Sequence, residues 1–231
     1  MGLSVLAVVP ARGGSKGIPN KVLALLCGRP LLAYTADAVR QSRRVARAVV
    51  STENPAIAEE ARRLGLDVPF MRPEALAADD TPMLPVLQHA LAEVRREGFA
   101  PDAVVLLQPT SPLRRAEHID AAIDLLERSS ADSVVSVTEV PHQFNPVSVL
   151  SLDGDRLRPF LERDAPATRR QDKPRVFARN GPAVLVSRAR TIDAGSLYGD
   201  DCRPLMMRPE ESLDIDSTWD LTVAEYALSR R

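Results

Sequence analysis

The opening of the chain constrains it most. Residues 3–10 form a continuous apolar run closed by Pro10, and residues 11–21 follow at once, setting Gly13, Gly14 and Gly17 among Arg12, Ser15, Lys16 and Lys21. An apolar run of that length, rich in Val and Leu, reads as a strand buried on both faces of a parallel sheet. Glycines let the backbone turn sharply and bring N–H groups close to an oxyanion, while three cations add fixed positive charge to the same loop. The pairing predicts a site for a phosphate-rich ligand. The glycine spacing is not G-x-G-x-x-G, and no Gly-Lys-Ser/Thr follows at the P-loop distance, so the loop is neither of the two common phosphate cradles.

The segments that follow alternate in kind. Residues 30–41 carry apolar positions at helical spacing with Pro30 suited to a first helical position, and Arg47–Ser51 reads as a second strand. Asn54 caps a helix over 55–64 that stops at Gly65, and 67–71 returns to extended chain. Residues 72–82 read as a loop at a strand end, where ligand contacts collect in open α/β sheets. A helix over 84–97, a central strand over 102–108, a helix over 116–128 and a strand over 133–138 continue the alternation. Two prolines, Pro109 and Pro112, end the central strand abruptly and leave Gln108, Thr110 and Ser111 at its carboxyl end. Such an order writes a mostly parallel sheet flanked by helices, an α/β fold.

From about 141 to 178 helical periodicity disappears, and Asp153-Gly154 sits between two short alternating runs as a hairpin turn would. Apolar positions at Val147, Val149, Leu150, Leu157, Phe160 and Leu161 suggest a two-stranded arm inserted into a single domain spanning 1–231, packing on a partner subunit. The chain is expected to re-enter the sheet at 183–187 and to continue through 204–207 to 212–216, before a last helix started by Ser217 and Asp220. A formal net charge of −1 argues against a nucleic-acid or membrane-surface binder, so an anion site must be built by local focusing of Arg and Lys. No apolar run reaches transmembrane length, and a cytoplasmic protein is expected. Cys27 and Cys202 are expected to be small buried hydrophobes, and the three histidines show no metal-ligand spacing.

Residues 213–216 alternate Leu, Asp, Ile and Asp. In extended chain the period of two puts Asp214 and Asp216 on one face, roughly 7 Å apart. Two hard oxygen ligands on one face suit Mg²⁺ when a phosphate supplies further oxygens. With the basic glycine loop they describe a site for a metal and a nucleoside triphosphate.

Together these residues resemble the acylneuraminate cytidylyltransferase (CMP-N-acetylneuraminate synthetase) family. The likeness rests on residues 10–19, residues 106–114, the pair Asn180-Gly181 and residues 214–216, in the family's order and at its spacing. The resemblance implies a Rossmann-like three-layer nucleotidyltransferase fold with a protruding dimerisation arm, and a homodimer. It implies transfer of CMP from CTP to the anomeric hydroxyl of a sialic-acid-like 2-keto acid sugar with release of pyrophosphate. Arg12, Gly13, Gly14, Ser15, Lys16 and Lys21 would hold the triphosphate. Arg72 and Gln108 would serve the nucleotide, and Asp214 and Asp216 the Mg²⁺, with Asp216 closest to the reacting hydroxyl. For the acidic acceptor the candidates are Gln108, Arg169, Arg170, Arg179 and Asn180; a guanidinium offers a carboxylate bidentate geometry. The chain departs from the family's pattern at Val22, Met83 and Pro182. These departures bear on the acceptor and on cytosine selection, so activation of Kdo or another acidic acceptor is an alternative, and a nucleotide-binding homologue without turnover a second.

Overall fold

A computed structural model of the chain describes residues 2–14, 17–161, 169, 171 and 173–230. The opening run is β1 (Val5–Pro10), and residues 5–9 are fully buried. A short hairpin follows, β2 (Leu25–Leu26) and β3 (Arg29–Pro30), leading into α1 (Leu31–Gln41). Then come β4 (Arg47–Ser51), α2 (Pro55–Arg63), α3 (Met83–Arg96), β5 (Ala103–Leu106), α4 (Ala116–Ser129) and β6 (Ser133–Glu139). The chain closes with β7 (Leu150–Asp153), β8 (Arg156–Pro159), β9 (Phe177–Arg179), β10 (Leu185–Arg188), α5 (Ala189–Asp193), β11 (Cys202–Met206) and α6 (Thr218–Ser229).

Seven strands form the central sheet in the order β11-β6-β10-β5-β1-β4, with β9 paired to β6. β1 is parallel to both β4 and β5, and β11 is parallel to β6, whereas β10 lies antiparallel between β5 and β6 and β9 is antiparallel to β6. The sheet is therefore mostly parallel, as expected. Alternate residues of β1 feed opposite cores, as the period of two requires. Val5, Ala7 and Val9 pack with Leu32, Ile57 and Ile123 of α1, α2 and α4, while Leu6 and Val8 pack with Leu87, Leu91 and Ile192 of α3 and α5. Helices thus cover both faces in three layers.

Local signals place the helices. Asn54 Oδ1 accepts from the N–H of Ala56 at 2.9 Å, and Gly65 takes a left-handed φ of 80° just past α2. Ser217 and Asp220 cap each other's backbone at the start of α6. Pro30, expected in the first turn, is instead the residue that caps α1, because it still pairs with Leu25 in the hairpin.

Three expectations fail. Residues 212–216 are not a strand of the sheet: the segment crosses the strands' carboxyl ends, tied by Ile215 N–H to the Thr110 carbonyl at 2.8 Å. Its alternation still sorts the side chains, since Ile215 is buried beside Leu26 and Leu31. Cys27 and Cys202 are exposed. Cys27 sits at the β2–β3 turn with Gly28, both at positive φ, and Cys202 begins the edge strand β11. The hairpin near 154 also shifts by one residue. Asp153 pairs with Arg156, so Gly154, at φ 63°, and Asp155 form the turn.

The excursion leaves and rejoins the sheet on one ladder, for Val140 N–H reaches the Val176 carbonyl at 3.0 Å beside the β6–β9 pair. Its β7–β8 hairpin is a separate two-stranded sheet, and all eight residues of those strands are exposed. Among the described residues no helix is long and apolar enough to cross a membrane.

Candidate active site

The carboxyl ends of β1, β4 and β5 lie side by side, the edge at which open α/β sheets bind ligands. A cavity of about 270 Å³ opens there, and it gathers residues from both ends of the chain. Arg12, Gly14, Lys21, Arg72 and Gln108 line it together with Asp214 and Asp216.

Lys21 joins the two halves. Its Nζ donates to the Ile215 carbonyl and to Asp216 Oδ1, each at 2.8 Å, with the Lys21 side chain 14% exposed and that of Asp216 78% exposed. Gly17 makes the second junction, since a Cβ there would stand 2.3 Å from the Asp216 carbonyl oxygen. Arg12 reaches across the mouth to Asp79 at 2.6 Å, from the 72–82 loop. Arg72, 5% exposed, donates from Nε to Ser51 Oγ at 3.0 Å and also to the Ser51 carbonyl. Burial pushes its guanidinium below the ordinary value, and Glu53 nearby opposes that shift.

Burial also pushes the Asp214 carboxyl above its ordinary value, the Thr110 hydroxyl and Lys21 opposing the shift and Asp216 adding to it. Asp214 Oδ1 is buried without a well-aligned hydrogen bond, as are Ser111 Oγ at the end of β5 and Thr110 Oγ1, whose hydroxyl lies close enough to the carboxyl to oppose its shift. A buried carboxylate oxygen without a partner is costly, and a hard cation satisfies it. With Asp216 exposed beside the same cavity, this carboxylate pair fits Mg²⁺. Among the described residues no group of three or more His, Cys, Asp or Glu side chains could hold a metal ion, so the carboxylate pair would need further oxygens from the nucleotide and water.

A second cavity of about 330 Å³ adjoins the first, sharing Met83 and Gln108 with it and adding Arg179, Pro182 and Tyr198. The Arg179 guanidinium lies over the Tyr198 ring, 5.2 Å from its centroid, and donates to the phenol oxygen. Asn180 does not line either cavity. It is 5% exposed, its Oδ1 accepts from Ser136 Oγ at 2.6 Å and its Nδ2 donates to Ser212 Oγ at 2.9 Å, so both ends are held by the protein behind Gly181. Arg169 is exposed and lines neither cavity. Ser15, Lys16 and Arg170 lie outside the described residues. Gly13 is absent from the lining, because its N–H points to Glu53.

The departures from the family's pattern have places in this geometry. Val22 is 6% exposed and packs into the core beneath the loop, and Met83, first residue of α3, stands between the two cavities. Glu53, Asp79 and Tyr198 were not legible in the sequence. Glu53 carried only a weak signal, as an acid two residues past a strand; Tyr198 carried none.

Comparison with known proteins gives the same answer as the site. The cytidylyltransferase family matches residues 6–193. The CMP-N,N'-diacetyllegionaminic acid synthase of Legionella pneumophila is 34% identical over 226 residues, covering 96% of this chain and 95% of that protein. The N-acylneuraminate cytidylyltransferase of Escherichia coli is 31% identical over 226 residues, covering 97% of this chain but 52% of that protein, so the chain spans about half its length. Among solved structures, CMP:2-keto-3-deoxy-manno-octonic acid synthetase complexed with CTP superposes with a TM-score of 0.71 over 98% of this chain and 99% of the other, at 16% identity, a likeness of fold. The chain belongs to the acylneuraminate cytidylyltransferase family and is a nucleotidyltransferase.

Proposed function

We propose that the protein transfers CMP from CTP to the anomeric hydroxyl of a sialic-acid-like 2-keto acid sugar, with Mg²⁺ held by Asp214 and Asp216, and releases pyrophosphate. The observation that carries the reading is the junction of Lys21 with Asp216 at a cavity whose other wall is the glycine loop. Arg12, Lys16 and Lys21 neutralise the triphosphate, Ser15 offers it a hydroxyl donor, and Arg72 adds a buried cation at the nucleotide's side. Magnesium, when bound, stabilises charge on the α-phosphate and favours the ionised hydroxyl. Asp216, exposed at the mouth, receives the hydrogen bond of the acceptor hydroxyl and orients it towards the α-phosphate. Gln108 lies between the two cavities and aligns nucleotide and acceptor. Arg179 offers a guanidinium to the acceptor's carboxylate, with Arg169 and Arg170 as further cations. No covalent nucleophile is needed; the work is positioning and charge compensation. We further propose a cytoplasmic location, where CTP is supplied, and a homodimer formed through the arm.

The test supplies CTP and Mg²⁺ with N-acetylneuraminic acid, a diacetylated legionaminic acid and Kdo in turn. Pyrophosphate release and a CMP-sugar mass are expected with a nine-carbon acid. Product from Kdo alone would move the acceptor to an eight-carbon acid. CTP binding without product from any acid would overturn the catalytic reading.

A further inference from the structure

The glycine loop would be expected to give its N–H groups to phosphate, yet the first of them is already spent. Gly13 N–H donates to Glu53 Oε1 at 2.6 Å. We propose that Glu53 is a positioning residue for the nucleotide: it holds the Gly13 turn against the start of α2, so that the phosphates meet the loop beyond Gly13. The proposal rests on the CTP reading above.

The chain fixes Glu53 on both sides. Thr52 before it is fully buried and its Oγ1 accepts from Asn54 N–H at 3.1 Å, and Asn54 after it caps α2. The loop presses on this corner, for a Cβ at Gly13 would stand 2.4 Å from Asn54 Nδ2. A Cβ at Gly13 would have to displace the Asn54 side chain that caps α2, a constraint separate from close approach to a phosphate. Gly14, where a Cβ would meet nothing within 4 Å, is the one of the pair that lines the cavity.

Charge follows the same division. Glu53 Oε2 is buried without a hydrogen-bond partner, and its negative charge is felt by the buried guanidinium of Arg72, which bonds to Ser51. A carboxylate at that spot repels a phosphate oxygen approaching Gly13. It directs the triphosphate to the face of the loop that carries Gly14, Arg12 and Lys21. Glu53 itself touches no substrate.

Glu53→Ala and Glu53→Gln separate this role from a general loss of structure. Loss of a buried hydrogen bond to a charged group predicts that Glu53→Ala raises the CTP Kd and KM about tenfold. The acceptor KM and kcat should stay within about threefold, because the lost bond lies away from the reacting atoms. The Gln side chain can still accept from Gly13, so Glu53→Gln should recover most of the affinity. Amide exchange at Gly13 should accelerate in Glu53→Ala alone. If Glu53→Ala does not fold, Gly13→Ala, which pushes the same turn off Asn54, should give the same CTP-selective weakening. Unchanged or tighter CTP binding in Glu53→Ala, or equal damage in Glu53→Gln, would overturn the proposal. Wild-type protein that binds no CTP would sink the functional reading instead, while the exchange comparison would still decide whether Glu53 holds Gly13.

Discussion

Gly17 and Asp216 come from opposite ends of the chain and meet backbone to backbone. Because a Gly17 Cβ would overlap a carbonyl oxygen that cannot rotate away, Gly17→Ala must shift either the loop or the carboxylate segment. A displacement near 1 Å in such a site costs up to about 10²-fold in rate. Gly17→Ala is expected to lower kcat by about 10- to 100-fold with a circular dichroism spectrum like that of the wild type, and wild-type turnover would refute the junction. Asp216→Asn tests the partner. Its side chain is 78% exposed, and Lys21 keeps the Ile215 carbonyl as a second acceptor, so the fold loses little. Turnover should fall by at least about 10²-fold at saturating Mg²⁺ while the thermal midpoint stays within a few degrees. An unimpaired Asp216→Asn would remove this residue from the metal site.

The segment that delivers Asp214 and Asp216 is anchored by an ion cluster at the start of α4. Glu211 accepts from Arg115 at 2.7 Å and from Arg208 at 2.8 Å, with His118 Nε2 at 3.4 Å, and its side chain is 7% exposed. The Arg208 hydrogen bond, with His118 and Arg115 adding to it, pulls the Glu211 carboxyl down to about 2. A carboxyl whose folded value lies below its unfolded one stabilises the protein above the unfolded value, and that contribution is lost as pH falls through the folded value. Glu211→Gln should therefore cost roughly 2 kcal/mol at neutral pH, less than the full shift because Arg208 and Arg115 are well exposed. The gap from wild type should close between about pH 4.5 and pH 2. Urea unfolding at several pH values checks this, and a gap that persists at pH 2 would contradict it. Elements of this kind divide by how local their cause is. Asn54, Gly65, Ser217 and Asp220 announced α2 and α6 because caps act within a few residues, and β1 was legible from its unbroken apolar run. The antiparallel place of β10 between β5 and β6 was not legible, since strand order is decided by packing of distant segments. Residues 213–216 show both sides: the alternation sorted the carboxylates from Leu213 and Ile215, but nothing local said that the segment would cross the strand ends. In the candidate site, the glycine loop and the carboxylate pair carried their chemistry in sequence. Glu53 and Tyr198 gained theirs only by meeting Gly13 and Arg179 in space.

At the scale of the molecule, a net charge of −1 coexists with a cavity where Arg12, Lys21 and Arg72 gather beside Asp214 and Asp216, so these cations are concentrated locally rather than spread over the surface. The arm is the other feature that belongs to this scale. Among the described residues β7 and β8 pair only with each other, and an isolated two-stranded hairpin is marginal in water unless one face is covered. Leu152 and Leu157 stand opposite each other at 72% and 66% exposure, and Leu150 and Phe160 extend the apolar surface at 51% and 63%. A second copy covering that surface would gain about 1.5–3 kcal/mol for each large side chain buried, enough from three or four of them to offset the cost of association. The double variant Leu152→Asp with Leu157→Asp is therefore expected to sediment as a monomer at concentrations where the wild type is a dimer. Arg12, Lys21, Arg72 and Gln108 line the proposed nucleotide cavity at a distance in sequence from the arm, so the double variant is expected to bind CTP within about threefold of wild type. A wild type that sediments as a monomer at about 10 μM, where a Kd of about 1 μM would leave it mostly dimeric, would refute the arm's role.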